Sequence, residues 1–226
     1  MSGELASVEP DGPLYRVARE PDPWAWPDWS YAGPDGTFGN RYDDPQASYR
    51  VLYASSQRVG AFVETLARFR PDLEVVAELE QIEGDDEPQA GVPRAWLERR
   101  KIGEATLQGP FVDVGDARSL ATLRAELAAS AIHFGLDDID AATIRLKAPR
   151  AFTQTVSRFV YELPDEHGSF AGIRYGSRLG DQFVNWAIFE PAPDATSAFL
   201  SISRAPVEAD DPDLRAALDV LGLSLV

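Results

Sequence analysis

The sequence predicts a mixed α+β fold in a single compact domain, with a central β-sheet and flanking helices, and three observations carry that prediction. The chain has 226 residues, within the span of one large domain. Apolar residues make up 44% and charged residues 26%, the balance of a packed core under a solvated surface. β-like and helix-like stretches succeed one another without the regular alternation a doubly wound parallel sheet needs, and no internal repeat divides the chain. One domain over residues 1–226 is expected, with 1–12 as a flexible N-terminus and 83–93 as an exposed acidic loop.

Residues 21–37, PDPWAWPDWSYAGPDGT, mix prolines, tryptophans and Asp-containing turn signals, and predict an ordered loop pinned to the core by its indoles. RVLYA at 50–54 has the β-branched and aromatic content of a buried strand, and Ser55 or Ser56 offers an N-cap for the next element. Val59, Phe62, Val63, Leu66 and Phe69 then follow helical spacing, with Arg70-Pro71 ending the run. EGDDEPQAGVP at 83–93 reads as an acidic connection, and ATLQGPFVDVG predicts one or two short strands. Asp116 is placed to cap a helix carrying Leu120, Leu123, Leu127 and Phe134. A second amphipathic helix is expected over Arg150 to Leu163. Three strands follow in AGIRYGSR, FVNWAIFE and AFLSISRAPV, then a final helix from about Asp211 to Leu221.

The composition narrows function. A formal net charge of −16 repels phosphate backbones and anionic lipid surfaces, so neither direct nucleic-acid nor membrane binding is expected, although an arginine pair in a cleft can still hold a small anion. The absence of cysteine removes thiolate nucleophiles and Cys-based zinc sites. The first residues, MSGELASVEPDG, carry neither a basic segment nor an apolar core, and no stretch approaches the ~20 apolar residues of a membrane span, so a soluble, cytoplasmic chain is expected. There is no dinucleotide fingerprint, Walker loop, HExxH or EF-hand loop. The two histidines, His133 near a helix end and His167 in a turn, make a poor metal or triad set, and no metal site is expected.

Among the remaining polar residues, Glu64 faces two readings. On a wheel at about 100° per residue the apolar stripe centres near 330° from Val59 while Glu64 falls near 140°, the far side. Arg68, four residues on, would then complete an exposed ion pair. Against this, Gly60, Ala61 and Ala67 leave room beside the carboxylate for a ligand. Arg41, between FGN and YDDP, reads as a turn arginine paired with Asp43 or Asp44. Ser177 in YGSRLGD reads as a turn hydrogen-bonder with no histidine to activate it.

Taken together, LYRVA at 14–18, FGNRYDDP at 38–45, RVLYASSQRVGAFVETLARF at 50–69, RAFTQTVSRFVYEL at 150–163 and FAGIRYGSRLGDQFVNWAIFE at 170–190 resemble the RES domain family in order and spacing. The resemblance implies an α+β fold similar to ADP-ribosyltransferases, and a toxin that consumes NAD+ beside a helix-turn-helix antitoxin. It maps the motif arginine onto Arg41, the strand tyrosine onto Tyr53, the helix glutamate onto Glu64 and the serine onto Ser177. Arg16 matches the first-strand arginine, and Asn185 in VNWAIF is a further match. The sequence departs from the usual GGRWN-like motif in placing Tyr42, Asp43 and Asp44 after Arg41, and the region from 70 to 115 is longer than in compact members.

The expected chemistry is cleavage of the nicotinamide–ribose bond of NAD+ with inorganic phosphate or water as acceptor and no cofactor required. Arg16 and Arg41 would hold phosphate oxygens, Tyr53 would pack on the nicotinamide end, and Ser177 would orient the substrate. ADP-ribosyl transfer to a protein, and a catalytically silent acidic interaction module, stay open as alternatives.

Overall fold

The structure is a computed structural model and describes residues 4–79, 91–163, 169–192 and 197–226. The chain opens with β1 (Ser7–Val8), β2 (Leu14–Arg19), β3 (Val51–Ser55), α1 (Arg58–Leu66) and α2 (Leu73–Leu79). It continues through β4 (Gly91–Val92), β5 (Arg100–Leu107), β6 (Phe111–Asp113), α3 (Ala117–Glu126), α4 (Ala128–His133) and α5 (Arg150–Glu162). It ends with β7 (Gly172–Gly176), β8 (Val184–Phe189), β9 (Phe199–Pro206), α6 (Pro212–Leu221) and β10 (Ser224–Leu225). Among the described residues, eight strands form one mixed sheet in the order β1-β6-β7-β8-β3-β2-β5-β9, and β10 pairs with β4. Within the large sheet only β6 and β7 run parallel; the other neighbours are antiparallel. This is the mixed α+β domain the sequence predicts.

Side chains alternate across the central strands, as a pleated sheet requires. Val51, Ala187, Phe189 and Ile173 join a core with α3, α4 and α5, whereas Leu52, Ala54, Trp186 and Ile188 pack with Trp24 and Phe111. A third cluster joins Val17 and Ile102 of β2 and β5 to Phe62, Val63 and Leu66 of α1 and to Leu214 and Leu218 of α6. The tryptophan-rich loop is pinned as expected at Trp24, which is buried and meets Phe199 edge-on at 5.4 Å, while Trp29 stays partly exposed against Phe38.

Four local expectations change. Residues 7–8 are not a free tail but pair with Val112 and Phe111, because Ala6 N–H finds the buried Ser119 hydroxyl and its methyl enters the core. Of the proposed acidic loop, residues 83–90 lie outside the described residues, while Gly91 and Val92 form β4 against β10. His167 lies outside them too. Helix α1 starts at Arg58 after Gln57; Ser55 stays in β3, its hydroxyl bound to the Val184 carbonyl rather than to a helix N–H. Asp116 does cap α3, but the apolar run breaks at Leu127, so Phe134 lies beyond α4 rather than on one continuous helix. Among the described residues, no helix is long and apolar enough to cross a membrane.

Helices α1 and α6 are also joined by charge. Arg58, the first residue of α1, donates to Asp211 (2.7 and 2.5 Å) and Asp213 (2.7 Å), and Asp211 also accepts the Asp213 and Leu214 N–H groups as the cap of α6. Burial of Asp211 opposes its ionisation, but the Arg58 and backbone donors outweigh it and hold the carboxyl below the usual range. Asp211→Ala is expected to cost about 2–4 kcal/mol in urea denaturation, from the cap and the charged hydrogen bonds together. Because the folded pKa is depressed, that difference should be complete above the ordinary carboxylate pKa of about 4 and shrink as pH falls through the lowered value.

Candidate active site

Glu64 takes its place from the fit of α1 against β3. A Cβ added at Gly60 would lie 2.4 Å from Ser55 Oγ and 3.2 Å from the Phe183 ring, so glycine lets the helix approach the strand end closely. One turn later the Glu64 carboxylate meets two donors from the neighbouring strands. Ser177 Oγ–H donates to Glu64 Oε1 at 2.5 Å and Asn185 Nδ2–H donates to the same oxygen at 2.7 Å. Oε2 is left without a protein donor among the described residues.

Both sequence readings of Glu64 meet the geometry here: the residue is exposed on the far side of α1, and that side lines a cleft. The side of α1 opposite its apolar stripe faces a cleft of about 470 Å³, whose walls include Ala61, Glu64 and Thr65. Gly60 is instead packed on β3, and Ala67 leans on the α1–α6 core. The predicted ion pair with Arg68 does not form, because the Arg68 guanidinium lies over the Phe69 ring, 5.0 Å from its centroid.

The cleft runs over the middle of the sheet, between α1 on one side and the start of α5 on the other. Its floor comes from Tyr15, Arg16 and Val17 of β2, Tyr53, Ala54 and Ser55 of β3, Tyr175 of β7 and Asn185 of β8. Arg41 enters from the loop before β3, Arg145 from the π-helical turn Thr143–Lys147, Arg150 from the first residue of α5, and Arg178 from the turn after Ser177. Among the residues lining it, Glu64 is the single carboxylate facing five arginines, in a chain whose overall charge is −16.

Most of these guanidinium groups are oriented by backbone carbonyls. Arg16 donates from Nε to Pro23 O and from Nη1 to Tyr53 O, both at 2.8 Å. Burial pulls its pKa down to about 10, with Tyr53 and Asp43 opposing, so it stays a cation at neutral pH. Arg41 donates to the Ile144 carbonyl and lies against the Tyr42 and Tyr175 rings, 5.5 and 5.7 Å from their centroids. Arg150 donates to Gly39 O at 3.1 Å. Arg145 donates to Ser177 O at 2.6 Å and also meets the exposed Asp181.

Asp43 and Asp44, the expected partners of Arg41, are engaged elsewhere. Asp43 accepts from Asn40 and from the Tyr53 hydroxyl at 2.7 Å, while Asp44 accepts the Ser48 and Gln46 N–H groups and pairs with Arg158. Burial pushes the Asp43 carboxyl up, against the Tyr53 and Asn40 donors. The Tyr53 hydroxyl also accepts Tyr42 N–H at 2.9 Å, so its phenol ties the Arg41 loop to β3 while the ring lines the cleft.

Ser177 is the turn hydrogen-bonder expected of YGSRLGD, and it also meets Glu64. It is 1% exposed, its Oγ–H is given to Glu64, and its Oγ accepts Leu179 N–H at 2.9 Å. It therefore orients the carboxylate. Asn185 is 2% exposed, and its Oδ1 has no donor among the described residues.

The structure thus brings Arg16, Arg41, Tyr53, Glu64, Ser177 and Asn185 to one cleft. Sequence reasoning missed Arg145, Arg150, Arg178 and Tyr175. Arg178 and Tyr175 stood beside Ser177 in YGSR, and Arg150 opened a predicted helix, but no spacing rule joins those segments to α1. Among the described residues, no group of three or more His, Cys, Asp or Glu side chains converges to hold a metal.

No curated protein gives a significant match to this sequence. The family model of the RES domain, however, matches residues 13–210, a span that contains every element of the cleft. With that match over most of its length, the chain belongs to the RES domain family.

Proposed function

We propose that this chain cleaves the bond between nicotinamide and ribose in NAD+, passing the ADP-ribosyl group to water or inorganic phosphate. The observation that carries this reading is the lone Glu64 carboxylate, fixed by Ser177 and Asn185, in a cleft whose other charges are five arginines. NAD+ presents a matching pattern: a pyrophosphate for cations, and a ribose that becomes cationic as the pyridine leaves.

In the cleavage step the C1′–N bond breaks, both its electrons go to the pyridinium nitrogen, and neutral nicotinamide departs. The ribose is left oxocarbenium-like. Glu64 Oε2, free of protein donors, supplies the negative charge. At about 4 Å and an effective dielectric near 20 that is worth roughly 4 kcal/mol, or about a thousandfold in rate. An oxygen of water or phosphate then bonds to C1′, and when the acceptor is water its proton passes to solvent or to the carboxylate. Arg16 and Arg41 hold the pyrophosphate, with Arg150 and Arg178 at the mouth adding to the same field. The unpartnered Asn185 Oδ1 is an acceptor for a ribose hydroxyl or the nicotinamide amide. Tyr53 and Tyr175 supply aromatic wall to the nicotinamide end. Depletion of NAD+ would arrest growth, and a helix-turn-helix antitoxin covering the cleft is the partner this reading proposes.

Product analysis tests the acceptor. Purified protein incubated with NAD+, with and without phosphate, should yield free nicotinamide with ADP-ribose or its 1″-phosphate. A mass gain on protein would point to transfer instead, and intact NAD+ that nonetheless binds would point to a silent interaction module. Glu64→Gln should keep its circular-dichroism spectrum and lose about a thousandfold in turnover. Arg41→Ala should chiefly raise the dissociation constant for NAD+, measured by calorimetry, by about tenfold or more. Ser177→Ala, which removes a hydrogen bond to a charged group, should lower kcat by about 10- to 100-fold with little change in KM, because the residue acts through Glu64.

A further inference from the structure

A second group of arginines lies outside the cleft, none of them among its lining residues. Arg19 at the end of β2 and Arg100 at the start of β5 are direct cross-strand partners, an arrangement in which like charges are destabilising. Arg100 is only 9% exposed. Among the described residues, neither these two nor Arg68 forms a salt bridge, and the nearby Glu20 turns to Lys101 at 3.8 Å. Elsewhere Arg50, Arg58, Arg158 and Arg174 all meet carboxylates, and the chain has 37 acidic residues against 21 basic ones. Scarcity of acids is not the reason these three form no salt bridge among the described residues.

The group rests on an aromatic base. The Arg100 guanidinium lies 5.1 Å from the Trp96 ring centroid, Phe69 meets Trp96 edge-on at 6.2 Å, and Arg68 covers Phe69. Among the described residues, the one hydrogen bond from the Arg100 side chain is a long contact to Arg99 O at 3.5 Å, and the buried Trp96 Nε1 has no acceptor. Burial depresses the Arg100 pKa, and the charges of Arg19 and Arg68 depress it further.

We propose that Arg68 over Phe69, Arg100 over Trp96 and Arg19 beside Arg100 form an oxyanion site separate from the Glu64 cleft, which takes a phosphate group. Three cations from three segments suit the divergent oxygens and double charge of a phosphate better than a single planar carboxylate. Such an anion would offset the repulsion between Arg19 and Arg100 and stabilise the junction of β2, β5 and the turn after α1.

The test is a titration of the nitrogen-15-labelled full chain at constant ionic strength with inorganic phosphate, pyrophosphate and ADP. It follows the Trp96 indole N–H resonance, assigned by its loss in Trp96→Phe. Saturable displacement of that resonance is expected, with affinity reduced by about tenfold or more in Arg19→Ala/Arg68→Ala, whose altered side chains are exposed and leave the core intact. A response to all three probes would identify a site for free phosphate; a response to ADP alone would identify one for a nucleotide's phosphates. No saturable displacement by any probe, or one undiminished in the double variant, would overturn the proposal.

Discussion

Keeping one carboxylate among five guanidinium groups without letting it collapse onto any of them is the constraint on which this structure turns. Glu64 would gain Coulomb energy by pairing with an arginine, and its charge would then be engaged by that guanidinium. Ser177 and Asn185 prevent that by holding Oε1 with neutral donors from β8 and the turn after β7. Those donors have their own anchors: Ser177 N–H bonds Phe183 O and its carbonyl accepts Arg145, while Asn185 is fixed by its place in the sheet between Ser55 and Tyr175. The sheet order, with β8 between β7 and β3, is therefore what sets the carboxylate.

The same logic explains how so acidic a chain can present a cationic cleft. Net charge describes the field at a distance, which salt screens within about 8–10 Å; inside a concave site the nearest groups dominate. Here the closest acids are drawn away from Arg41: Asp43 into Tyr53 and Asn40, Asp44 into Arg158 and backbone N–H groups. The departure from the usual arginine motif thus places its extra carboxylates in the framework of the loop.

Much of the scaffold was legible from the sequence, because strands such as VLYAS and VNWAIF declare themselves by composition and α5 by its period. Helical periodicity put Glu64 on the side of α1 away from the core, where it lies exposed at the wall of a cleft. A wheel records which side avoids the core, and cannot tell open water from a cleft closed by other parts of the chain. Arg145 and Arg150 were illegible for a related reason: they lie 81 and 86 residues beyond Glu64, a separation that local patterns do not bridge. The break at Leu127 and the pairing of residues 7–8 likewise depend on tertiary contacts that no local signal carries. The family resemblance supplied the long-range information that joins Glu64, Arg41 and Ser177, and the geometry adds a hydrogen bond from the serine to the carboxylate.

The carbonyls that aim Arg16, Arg41 and Arg150 belong to Pro23, Tyr53, Ile144 and Gly39. A main-chain oxygen is the same whatever side chain its residue bears, so substitutions there leave the acceptors in place as long as the backbone path is kept. The cleft's positive charge is in this way insulated from mutational drift in the segments that support it, and the sequence around the arginines can diverge much faster than the arginines themselves.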